Sequence, residues 1–193
     1  MIKNNIVIFA SGSGTNAERI IEYFEKNERS KVVLVMCNKP NAYVVKRAKK
    51  KNVYCHVFNS ESFKKNDDIL SVMQKFEVKW IVLAGFLLKV PAYIINNFTN
   101  RIVNIHPSLL PNFGGKGMYG MNVHRAVINN NESKSGITIH HVSEEYDEGN
   151  VIFQAQCTVS ELDTAEDLAK KVQTLEHQHY AKVIDRLIQG SEL

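Results

Sequence analysis

Residues 101–111 read RIVNIHPSLLP, and the way this stretch ends decides how the rest of the chain is arranged. Ile102 and Val103 belong to an apolar run suited to a buried strand. Successive strand side chains alternate between faces, so Asn104 and His106 share one face and Ile105 takes the other. Pro107 cannot continue a central ladder, and Pro111 closes the segment a little further on. The stretch therefore reads as a strand end that presents an amide and an imidazole together.

The chain before it sets the frame. Apolar, β-branched runs at 4–10, 31–38, 53–58, 80–86 and 101–106 read as strands covered on both faces. Helical patterns lie between them, with Ala17, Ile20, Ile21 and Phe24 at helical spacing in the first. One helix is expected over 60–76, with Ile69, Leu70, Met73 and Phe76 inward. Pro91 starts a short helix before the fifth strand. This alternation predicts an α/β fold, a Rossmann-like, mostly parallel sheet with helices on both faces. Beyond residue 107 the pattern changes to a glycine-rich loop, a helix, two strands around EEYDEG (144–149), and a long C-terminal helix. Thr164 and Asp167 suit the cap of that last helix. The expected organisation is one domain over 1–193, with an N-terminal half (1–106) and a C-terminal half (107–193).

Composition narrows the class. A chain of 193 residues buries about 70% of the surface it exposes when unfolded, so its core needs no metal or disulfide. The net charge of +4 is spread, apart from Lys49-Lys50-Lys51, which suit a helix C-terminus better than a nucleic-acid patch. Three cysteines without CxxC spacing and a short N-terminal apolar run lead to the expectation of a reduced, cytoplasmic setting. No stretch approaches the roughly 20 apolar residues of a membrane span.

Four places can carry chemistry. ASGSGTN (10–16) joins the first strand to the first helix. Its small residues and the N–H groups of a helix start suit a phosphate, with Thr15 and Asn16 as side-chain donors; a plain tight turn is the alternative. It departs from G-x-G-x-x-G, with Ala17 at the third glycine position, and from a P-loop. Asn104 and His106 lie at the carboxyl end of a strand, where open α/β sheets bind ligands, and both can donate to a developing oxyanion. Asp147 joins them only if its acidic loop folds back; a carboxylate there favours a protonated imidazole and can relay a proton. Gln173 and Glu176 lie three apart on the last helix and face the same way. His140-His141 and His177/His179 point apart in pairs, and no metal motif is present. Met118, Tyr119 and Met121 either line a pocket or anchor their loop.

In order along the chain, SGSGTN, VLAGF, NIHPSLLP, YDEG and QTLEH resemble the phosphoribosylglycinamide formyltransferase family, the folate-dependent formyltransferases of purine synthesis. The resemblance covers essentially the whole chain and implies the formyltransferase fold. It implies transfer of a formyl group from 10-formyltetrahydrofolate to the amine of glycinamide ribonucleotide, in de novo purine (IMP) biosynthesis, through a tetrahedral oxyanion. By this resemblance Asn104, His106 and Asp147 are catalytic: an amide donor, an imidazole, and the carboxylate that holds the imidazole charged and passes protons. Gly14, Thr15, Asn16, Pro107, Gln173 and Glu176 contact the ribonucleotide. Leu87, Leu88, Lys89, Val90, Asn104, Ser143, Glu144, Glu145, Tyr146 and Asp147 wall the folate. The implied partners are these small molecules, without metal, nucleic acid or membrane, in a monomer or homodimer. Two departures are visible. Leu88 stands where many members carry Arg, and Ser60-Glu61-Ser62 lacks a second Arg, leaving Lys64 or Lys65 as cations for the folate's glutamate tail. The segment 112–122 is also longer than in some members of the family, which is expected to reshape the substrate mouth and to leave Asn104, His106 and Asp147 untouched.

Rival readings differ in the acceptor. A tRNA formyltransferase needs an added RNA-binding domain, and a formyltetrahydrofolate hydrolase usually carries an N-terminal regulatory domain; the chain length leads us to expect neither. A dinucleotide-binding module needs an acidic residue at the end of the second strand, where Cys37-Asn38 stands.

Overall fold

Ile6 and Ile8 face one apolar layer while Val7 and Phe9 face another, all four fully buried. That period-two division is what a strand covered on both faces requires. In the computed structural model, which describes residues 4–66 and 68–190, the strand is β1 (Asn4–Ala10). It is followed by α1 (Thr15–Phe24), β2 (Ser30–Cys37), α2 (Tyr43–Lys50), β3 (Tyr54–Val57), α3 (Ser60–Lys65) and α4 (Ile69–Lys75). Then come β4 (Val78–Leu83), α5 (Ala92–Asn97), β5 (Ile102–His106), α6 (Met121–Asn129), β6 (Lys134–His141), β7 (Val151–Thr158) and α7 (Ala165–Gly190).

The strands form one sheet in the order β3-β2-β1-β4-β5-β6-β7. β1 to β5 pair in parallel, and β6 and β7 run antiparallel. The mostly parallel, helix-covered sheet expected from the alternation is the observed one. The layer on one face includes Phe24 of α1 and Val172 and Ile184 of α7. The opposite layer takes Phe63 of α3, Met73 of α4 and Ile94 of α5.

The single helix expected over 60–76 is two helices. The Asn59 side chain caps α3 by accepting from the amides of Glu61 and Ser62. Asn66 ends α3 in a left-handed conformation, φ 60°, one of the few side chains that tolerates it. Its Oδ1 accepts from the Leu70 amide and so starts α4. Apolar periodicity runs on because Phe63, Ile69 and Met73 all reach the same layer. Asp67 lies outside the described residues.

The cap expected for the C-terminal helix is present. Thr164 Oγ1 accepts from the Asp167 amide at 3.1 Å and donates to Asp167 Oδ2 at 2.6 Å. With Lys170 beside it, this holds the Asp167 carboxyl down at about 2. Further along α7, the buried Tyr180 hydroxyl lies 2.8 Å from the Leu83 carbonyl and 3.2 Å from that of Val103. One hydroxyl thus ties the helix to the carboxyl end of β4 and to the early part of β5. Tyr180→Phe should lower stability by about 1 kcal/mol, the net worth of a typical buried hydrogen bond. A urea titration should show an earlier midpoint with an unchanged slope.

Candidate active site

Every strand-to-helix loop along the parallel strands leaves from the same edge, and there a cavity of about 860 Å³ opens. Loop 11–14 forms one end of it. Gly14 caps α1 at φ 75°, and a Cβ there would fall 2.5 Å from Val44 Cγ2, so only glycine fits. Ser11 Oγ donates to Asn38 Oδ1 at 2.7 Å and accepts from the Leu87 amide at 3.0 Å, which joins this loop to the end of β4. Asn38 is therefore engaged within the turn. Gly14, Thr15 and Asn16 line the cavity with Gln173 and Glu176 of α7. Asn16 Nδ2 donates to Glu176 Oε2 at 2.9 Å, and Gln173 Nε2 lies 3.5 Å from Thr15 Oγ1. Burial pushes the Glu176 carboxyl above its ordinary value, against the Asn16 hydrogen bond. The residues expected around the ribonucleotide, Pro107 included, thus line one cavity.

The strand end of β5 forms its middle. His106 is 4% exposed, and its Nδ1 lies 3.4 Å from Asp147 Oδ2. The acidic loop does fold back. His106 Nε2 sits 2.8 Å from the Phe113 carbonyl, so it carries a hydrogen. Both ring nitrogens therefore face oxygen. The Gly115 amide donates to Asp147 Oδ2 at 2.8 Å, so the glycine-rich loop holds both members of the pair. Phe113 and Asp147 adopt φ values of 55° and 58°. Left-handed backbone at non-glycine residues is costly and is retained where the surroundings enforce it.

Two functional candidates were missed from the sequence. His140, 2% exposed, lies 3.0 Å from Asn104 Nδ2 and 3.7 Å from Asp147 Oδ1 through its Nε2. His124, buried on α6, also lines the cavity, and burial lowers its affinity for a proton. The alternation of His140 and His141 was legible; which ring enters the site follows from the pairing of Asn104 with His140 across β5 and β6.

The far end is more apolar. Leu87, Leu88, Lys89 and Val90 line it, as do Ser143, Glu145 and Tyr146. Glu144, expected there, is exposed and does not line the cavity. Lys64 and Lys65 are exposed on α3 away from the cavity, and Lys65 pairs with Glu61. Lys89 brings a cation to this wall, 3.3 Å from Glu145 and 5.7 Å above the Tyr146 ring. Met118, Tyr119 and Met121 line the cavity mouth rather than a separate core. Among the described residues, no group of three or more His, Cys, Asp or Glu side chains could hold a metal ion. None of the helices described is long and apolar enough to cross a membrane.

Gly149 anchors the acidic loop, because a Cβ there would fall 1.7 Å from the His141 carbonyl oxygen. Gly149→Ala should therefore displace Asp147 from His106 while the sheet persists. In histidine-selective NMR the His106 ring signals should shift, with the far-ultraviolet dichroism unchanged.

The chain resembles known proteins along almost its entire length. The Formyl transferase family model matches residues 4–184. A chloroplastic phosphoribosylglycinamide formyltransferase of Arabidopsis thaliana is 37% identical over 94% of the chain, which spans 64% of that protein's length. The phosphoribosylglycinamide formyltransferase of Escherichia coli (strain K12) is 31% identical over 96% of the chain and 88% of its own. The crystal structure of the Bacillus halodurans phosphoribosylglycinamide formyltransferase superposes with a TM-score of 0.87 at 33% identity, covering 96% and 95% of the two chains.

Proposed function

The chain belongs to the phosphoribosylglycinamide formyltransferase family, and from that premise we propose that it transfers the formyl group of 10-formyltetrahydrofolate to the amine of glycinamide ribonucleotide in de novo purine (IMP) biosynthesis. The observation that carries this reading is the 3.4 Å approach of Asp147 to His106, in a cavity that also holds the 12–16 loop. Its volume of about 860 Å³ lies within the roughly 300–1,000 Å³ usual for small-molecule sites.

The loop at Gly14, Thr15 and Asn16, at the start of α1, suits the substrate phosphate, because N–H groups there point outward with no partner along the helix. Gln173 adds an amide beside Thr15. Glu176, already accepting from Asn16, keeps a second carboxylate oxygen for ribose hydroxyls. The apolar wall of Leu87, Leu88 and Val90 suits a pterin. Lys89 suits an acidic tail there, in place of the arginine that Leu88 replaces.

Folate, when bound, supplies the formyl carbon. The chain's own part is electrostatic. Asn104 Nδ2 donates to the formyl oxygen as negative charge develops on it. His106, with hydrogens on both nitrogens, places a positive ring beside that charge. Asp147 faces the ring through Oδ2 and takes up, through water, the proton that the attacking amine must lose; a proton returns by the same route to the folate nitrogen as its bond to the formyl carbon breaks, releasing tetrahydrofolate. The reading further takes the partners to be small molecules alone, without metal, nucleic acid or membrane, and the chain to act as a monomer or homodimer in the cytoplasm.

Tetrahydrofolate release from 10-formyltetrahydrofolate, with and without glycinamide ribonucleotide, tests the proposal. Release should require the ribonucleotide and vanish in His106→Ala; release without it would assign the acceptor role to water instead. Asn104→Ala should lose about 100- to 1,000-fold in kcat, the usual cost of one oxyanion donor, while its melting temperature stays near that of the wild type.

A further inference from the structure

We propose that His140 is a positioning residue, whose Nε2 lone pair fixes the side-chain amide of Asn104 so that one Nδ2 hydrogen is held and the other is left for the substrate. The inference rests on the reading of Asn104 as the amide donor to the formyl oxygen.

His140 Nδ1 lies 2.8 Å from the His141 carbonyl oxygen. That oxygen only accepts, so Nδ1 carries a hydrogen. In the neutral ring Nε2 is then bare. It sits 3.0 Å from Asn104 Nδ2, a group that only donates. The hydrogen bond therefore runs from Asn104 to His140. A doubly protonated ring would set two donors against each other, and the amide would have to turn over and present its oxygen.

The surroundings keep the ring in the accepting form. Burial disfavours its charge and dominates. His106, from β5, and its neighbour His141 oppose protonation, while Asp147 Oδ1 at 3.7 Å and the His141 carbonyl favour it. The net effect lowers the proton affinity of His140 below the usual value of 6.5. The two ends of an amide are nearly the same shape, yet only the NH₂ end can donate to an oxyanion. A neutral acceptor at a fixed place is the simplest device that tells them apart, and both residues line the cavity.

His140→Met and His140→Gln separate this role from packing. Met fills the volume with only a weakly accepting sulfur; Gln returns an oxygen near the position of Nε2. The expected result is a kcat lower by about 100-fold in His140→Met, the scale of a misplaced catalytic group. KM for the ribonucleotide should be little changed, and His140→Gln should be largely restored. Equal kcat in wild type and His140→Met, or a Gln variant no better than Met, would overturn the proposal. A second arm needs no activity: the ¹⁵N-labelled side-chain amide of Asn104. One of its two protons should lie downfield in the wild type, lose that shift in His140→Met, and move as pH falls below 6.5. An amide spectrum identical in wild type and His140→Met would overturn the pairing. A wild type that transfers no formyl group would overturn the proposed function, and the amide spectrum would still decide the pairing.

Discussion

The antiparallel register of β5 with β6 is the constraint on which the site depends. It sets Asn104 opposite His140 and His106 opposite Thr138. Opposed residues of an antiparallel pair project from the same face, so one register delivers an amide and an imidazole from two strands that run in opposite directions. It also sets where the β6–β7 connection starts, and Asp147 sits in that connection. A one-residue slip would send His141 to the site and carry His140 to the other face.

Burying three ionisable groups together is costly unless each finds a partner. Here the partners form a closed chain. The Gly115 amide donates to Asp147, Asp147 faces His106, and His106 faces the Phe113 carbonyl. His140 is satisfied by Asn104 and the His141 carbonyl. Most of these partners are backbone groups, so the loops that carry them must follow specific paths. The left-handed backbone at Phe113 and Asp147 and the side-chain-free approach of Gly149 to His141 are what those paths require.

The two ends of the cavity follow different chemistry. Near α1, polar backbone and the Asn16–Glu176 hydrogen bond suit a charged, hydroxylated ligand. Toward Leu87–Val90 the walls are more apolar, and Lys89 meets Glu145 and Tyr146 there. Both ends hang on the central strands, which Tyr180 ties to α7. The helix that carries Gln173 and Glu176 is therefore held in place by the strands that carry Asn104 and His106.

Much of this was legible in the sequence, because periodicity and the chemistry of single residues are local properties. Apolar runs identified the parallel strands, Thr164 and Asp167 marked the last helix, and the spacing of Asn104 and His106 put both at one strand end. Along one chain, however, the helix break at Asn66 is hidden by an apolar pattern that continues across it. The approach of Asp147 to His106 joins residues about forty apart in the chain, a separation that only the turn of β6 and the seat of Gly149 can close. The same holds for Lys89, which lines the cavity where Lys64 and Lys65 do not, and for His140, whose neighbour His141 is identical in kind. Sequence determined which residue types were available and which face of each element they share. Tertiary structure decided which of them meet, because strand order, register and loop path are set by the packing of the whole sheet.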